Sequence, residues 1–188
     1  MDALLLALLG SLLGEIGDKS QLLVLALATR FDRDGPVLAG IAVAAAANAA
    51  ISAIAGAWIG PMMSADARLL FLALSVVFLG AGMLWRVKAP DPLDSWRIGP
   101  FLTSALGLLI LGIGDGPQFL TLGIVTRTGD PVLAAIGGAV GVFAALAPVV
   151  LLRDRILASR AIGIVRRAGG ALLIFAGAIL GLSATGLL

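Results

Sequence analysis

Glu15-Ile16-Gly17-Asp18-Lys19-Ser20-Gln21 places three charges in five residues. The flanks, 4–13 before it and 22–28 after it, are almost wholly Leu, Ala, Val and Gly. They read as two halves of a membrane-spanning helix. A charge at the middle of a bilayer costs about 2.5–3.5 kcal/mol on insertion scales, so a chain keeps one there only where something offsets it.

The rest of the chain supports a membrane setting. Of its 188 residues, 60% are hydrophobic and 13% are charged, about half the roughly 25% usual in soluble domains. Mean hydropathy is +1.11. A span takes about 20 apolar residues, so the length allows roughly five to seven spans and leaves no room for a soluble domain. Cys and His are absent. That excludes disulfides, Cys/His zinc sites and histidine proton relays. A metal site here must be built from oxygens, which favours calcium, magnesium or manganese. The pI near 9.9 does not indicate nucleic acid, because the basic residues fall in short loops and form no stripe. Met1-Asp2 supplies no basic n-region, so 3–29 reads as an uncleaved first span.

Taken in order, the spans are 3–29, 37–59, 69–85, 101–125, 131–152 and 168–187. Gly35-Pro36 and Gly60-Pro61 punctuate the first turns. Trp85 followed by Arg86 and Lys88 reads as an interface. The longest linker carries Pro90 and Pro92, and Pro148 predicts a kink in the fifth span. The loops after spans 1, 3 and 5 hold ten Lys and Arg, Arg155 and Arg166 among them, and the opposite side holds Arg68 and Arg127. The positive-inside rule then puts both termini on the non-cytoplasmic side.

The two halves repeat. Glu15 to Gln21 aligns with Gly112-Ile113-Gly114-Asp115-Gly116-Pro117-Gln118 at an offset of 97. Thr29-Arg30 matches Thr126-Arg127, and Pro36 to Ala39 matches Pro131 to Ala134. Three spans per half make the second copy inverted. The sequence therefore predicts an all-α integral membrane protein of six helices in two inverted three-helix repeats, 1–88 and 101–188, joined by 89–100. Such transporters place their sites near the midplane at interrupted helices in corresponding positions. Here the interruptions are Gly14 and Gly17, and Gly112, Gly114, Gly116 and Pro117.

Glu15 and Asp18 are three apart and share a face if the helix is continuous, with Gln21 one turn further. Two-fold symmetry would bring Asp18 and Asp115 together. Three carboxylates, the amide oxygens of Gln21 and Gln118, and Ser20 and Asn48 as additions suit a hard divalent cation. Carboxylates this close cannot all stay ionised in an empty site, so cation binding should release a proton. Lys19 falls on another face, where it neutralises an acid or lines a cytoplasmic vestibule.

Glu15 to Ser20 fits E-x-G-D-[KR]-[ST]. The chain thereby resembles the Gdt-type cation/proton exchanger family, and the two-copy layout fits as well. The resemblance implies manganese export in bacterial members, calcium also in eukaryotic ones, and exchange for protons. It implies that Glu15, Asp18 and Asp115 are cation ligands, in what would be a bacterial inner membrane. The second copy departs from the family pattern: Gly112, Gly116 and Pro117 stand where Glu, Lys or Arg, and Ser or Thr are expected. Three acids replace four.

No prosthetic group is expected. The partners are lipid, a divalent cation and the proton, with no nucleic acid; a homo-oligomer is left open. No nucleophile–base pair suggests an enzyme. Two other readings stay open: an amino-acid-exporter-like permease with Lys19 and Asp115 on the two ends of a zwitterion, and a membrane subunit without transport.

Overall fold

A chain surrounded by lipid must satisfy its backbone internally, and here it does so with helices. The computed structural model of the chain describes residues 1–153 and 160–187. Arg155 of the basic stretch lies outside the described residues. The helices are α1 (Asp2–Glu15), α2 (Lys19–Phe31), α3 (Asp34–Ile59), α4 (Ala65–Leu84), α5 (Pro100–Gly112), α6 (Gly116–Thr128), α7 (Pro131–Leu152) and α8 (Arg160–Ala184).

Local chemistry sets most of these bounds. A 3-10 turn, Gly60–Met62, extends α3. Ser64 caps α4 by accepting from the Ala67 N–H at 3.2 Å. Asp130 caps α7 by accepting from the Leu133 N–H at 3.2 Å. Pro100 starts α5, where its missing N–H costs nothing. Helix α7 runs unbroken through Pro148.

Among the described residues, four helices are long and apolar enough to cross a membrane: α3 with its 3-10 turn, α4, α7 and α8. Helices α5 and α6 qualify as a pair bent by 65°, which makes up to five. Helices α1 and α2 have 14 and 13 residues, each about 20 Å at 1.5 Å per residue, short of the ~30 Å hydrocarbon core. The predicted spans 3–29 and 101–125 are therefore each two helices. The last helix also differs from expectation. It covers Arg160–Ala184, because Ile162, Ile164 and Val165 carry the apolar pattern back between the arginines. Arg166 and Arg167 are helical residues and not loop residues.

Helix α1 packs on α7, α5 on α3, α4 on α8, and α3 on α7. Small residues permit this, since lipid gives apolar side chains no preference for one another. On α7, a Cβ at Gly137 or Gly141 would strike the carbonyl oxygens of Leu4 and Leu8 of α1. One buried cluster holds Val24, Leu27, Ile41, Leu146 and Val149. A second holds Ala7, Leu79, Leu120 and Ile124. Leu9, Ile54, Trp58, Leu172 and Phe175 are exposed. Apolar surface on that scale belongs against lipid.

Arg30 of α2 pins the linker between α4 and α5. It donates to the carbonyls of Leu93, Asp94 and Trp96 at 2.6, 3.1 and 2.7 Å.

Candidate functional site

Two helix breaks of the same design build the site. Helix α1 ends at Glu15 and α5 at Gly112. Ile16 and Ile113 turn extended, with φ of −64° at both. Gly17 and Gly114 then take φ of +71° and +76°, a region open to Gly and strained for other residues. Asp18 and Asp115 are the N-cap residues of the next helices. Gln21 accepts from the Gly17 N–H at 2.9 Å, and Gln118 accepts from the Gly114 N–H at 2.8 Å. Pro117 sits in the first turn of α6 and helps start that helix.

These breaks correct the single-face reading of Glu15, Asp18 and Gln21. The helix stops at Glu15, so Asp18 leaves its face. Both glutamine oxygens are taken by backbone N–H groups, which makes these side chains braces of the breaks. Gln21 also donates to the Ala145 carbonyl at 2.9 Å, and Gln118 donates to Asn48 Oδ1 at 2.9 Å.

Glu15, Ser20, Asn48, Asp115 and Gln118 line one cavity, together with Ser11. About 40 Å³ of it is open to the centres of water molecules, and one water needs roughly 10–15 Å³ by that measure. Glu15 is only 5% exposed. Among the described residues, the buried side-chain oxygens with no hydrogen-bond partner include Ser11 Oγ, Glu15 Oε2 and Asp115 Oδ2. All three belong to residues of this cavity. Each such group costs about 1–3 kcal/mol, more if charged.

Ser11 was missed at the level of sequence. Its signal was present: it stands four residues before Glu15, hence on the same face of α1.

Asp115 also lines a second, more open pocket with Asp18, Lys19, Trp85, Arg86, Lys88 and Arg166. Four cations face two aspartates in this vestibule. Lys19 Nζ lies 3.4 Å from Asp115 Oδ2, an ion pair without hydrogen-bond geometry. Arg166 Nη2 lies 3.2 Å from Asp18 Oδ1. Among the described residues, no three acids are gathered closely enough to hold a metal ion. The expected meeting of three carboxylates at one point gives way to two on the cavity and Asp18 in the vestibule. The two N-cap aspartates have nearly the same extended backbone, but Asp18 is paired with Arg166 of α8 at 3.2 Å and Asp115 with Lys19 at 3.4 Å.

Apolar helices, two matching breaks that carry the buried Glu15 and the partly buried Asp18 and Asp115, and a small cavity with acidic and hydroxyl groups in its wall fit a membrane transporter for a small polar solute or ion. Residues 3–91 match the family described as divalent cation/proton antiporter GDT1. A protein of Vibrio cholerae serotype O1 named "Putative manganese exporter" is 30% identical over 172 residues, 89% of this chain and 84% of that one. The chain belongs to the divalent cation/proton antiporter GDT1 family. No solved structure matches it.

Proposed function

We propose that the chain is a secondary transporter of divalent cations, manganese first, that exports its cation in exchange for protons. One observation carries this reading. Ser11 Oγ, Glu15 Oε2 and Asp115 Oδ2 are buried without hydrogen-bond partners and line the same cavity. A dehydrating cation satisfies all three, and oxygen donors suit manganese, calcium and magnesium. The name of the Vibrio cholerae relative favours manganese.

In this reading Glu15 and Asp115 are the cavity ligands and Ser20 contributes an oxygen, while Asn48, whose Oδ1 accepts from Gln118, braces the second break. Asp18 is the first carboxylate met in the vestibule. Gln21 and Gln118 hold the two breaks in shape. The paired breaks support an inverted repeat of 1–88 and 101–188 across the linker 89–100, with six crossings once α1–α2 counts as one. The packing of α1 on α7 and of α5 on α3 exchanges the halves, as such a repeat requires. By the balance of Lys and Arg, both termini lie on the non-cytoplasmic side of a bacterial inner membrane.

The amino-acid permease reading gains no support. Lys19 and Asp115, which would hold the two ends of a zwitterion, pair with each other instead. The test is protection of cells that lack their own manganese exporter. Glu15→Gln and Asp115→Asn are each expected to abolish protection at unchanged protein level. Protection that survives both changes contradicts the proposal.

A further inference from the structure

Asp18 does not wait for its cation alone. Arg166, from the far end of the sequence, is 8% exposed and reaches it from α8. Its Nη2 donates to Asp18 Oδ1 at 3.2 Å and to the Gly82 carbonyl at 2.9 Å. Its Nη1 donates to the Ile16 carbonyl at 3.3 Å. Both carbonyls lie at helix ends, Ile16 in the first break and Gly82 in the last turn of α4, where the Gly82 carbonyl also accepts from the Trp85 N–H at 3.3 Å. Gly17 makes room for this crossing. A Cβ there would lie 3.3 Å from Arg166 Cδ and 2.9 Å from Ile162 Cγ2. The second break is different: a Cβ at Gly114 would meet nothing within 4 Å.

We propose that Arg166 is a tethered competitor for the transported cation, an affinity-setting residue that holds Asp18 while the site is empty and leaves it when a dication arrives. This inference rests on the transport reading above. Three facts carry it. The guanidinium occupies the carboxylate oxygen that a dication in the vestibule would take. It comes from a helix that packs chiefly on α4, so it can withdraw without unfolding the break. And its other two bonds tie the break to the end of α4, so its departure releases one from the other. Displacement of Arg166 thus links occupation of Asp18 to the freedom of α8 and α4 to move. A planar five-donor fork suits this triple attachment better than an ammonium does.

The test is manganese binding to purified protein together with manganese flux in proteoliposomes. Arg166→Gln removes the competitor. It is expected to bind manganese about tenfold more tightly, which corresponds to ~1.4 kcal/mol, and to show a lower KM and a lower kcat because release slows. Arg166→Lys keeps the charge but not the fork, and is expected to fall between Arg166→Gln and the parent. A merely structural residue would lower the amount of folded protein and leave Kd and KM unchanged, and that result overturns the proposal. If Arg166→Gln does not fold, an unchanged Kd in Arg166→Lys overturns it equally. The controls separate the two levels of the account. Parent protein that binds manganese, with binding lost in Glu15→Gln, keeps the transport reading whatever the Arg166 variants do. Parent protein that binds no divalent cation overturns both.

Discussion

Lys19 and Asp115 stand 96 positions apart in the sequence and pair across the site at 3.4 Å. Each belongs to a different motif. The pair therefore ties the first break to the second and neutralises a carboxylate on the cavity wall. If the two act as a unit, their losses are not additive. Lys19→Gln and Asp115→Asn are each expected to impair manganese flux, and the double variant to be no worse than Asp115→Asn alone. Flux losses that multiply would show that the two residues act separately.

Glu15 has a carboxylate oxygen that is buried without a partner. Replacement by the amide takes away a carboxyl group that this site solvates poorly. Glu15→Gln is expected to abolish transport while keeping or raising thermal stability in detergent, by up to ~1–3 kcal/mol. A site that stores destabilisation for function behaves this way. Thermal unfolding of the two proteins without metal checks it; a large loss of stability would mark Glu15 as a structural residue.

Gly112 stands where the family resemblance expects a second Glu. A Cβ at Gly112 would collide with the amide of Asn48. Asn48 fills the space that the missing side chain would need. Gly112→Glu alone is expected to lower the yield of folded protein. Combined with Asn48→Ala it is expected to fold and to bind manganese more tightly than Gly112→Glu alone. Expression yield and metal titration of the three variants check this.

Gly17 and Gly114 share a positive φ but not their surroundings. Alanine at either position pays the cost of left-handed backbone, about 1–2 kcal/mol. Only at Gly17 does it also press on Ile162 and Arg166. Gly17→Ala is expected to lower the melting temperature more than Gly114→Ala, and to shift manganese affinity as well.

Much of this arrangement was legible in the sequence because glycine, proline and buried acids carry strong local signals. The offset between the motifs led to matching breaks, and Gly17 and Gly114 lie at their centres. Ser20, Asn48 and Gln118, grouped with Glu15 and Asp115 as candidate ligands from the sequence, line one cavity with them. Asp18 was misread because periodicity was carried across a helix that stops at Glu15. Spacing alone does not reveal an N-cap inside an apolar run. Arg166 was not legible at all. It looked like one more cation of a loop, and only the third dimension brings α8 to the first break.

The central claim is that Glu15 and Asp115 hold a divalent cation that crosses the membrane against protons. Purified protein in proteoliposomes with a manganese indicator inside tests it most directly, with and without an imposed pH gradient. The account predicts manganese flux driven by the gradient, matched by proton counterflow, and absent in Glu15→Gln and in Asp115→Asn. Manganese flux that persists in both variants, or parent protein that moves no divalent cation under any gradient, would contradict it.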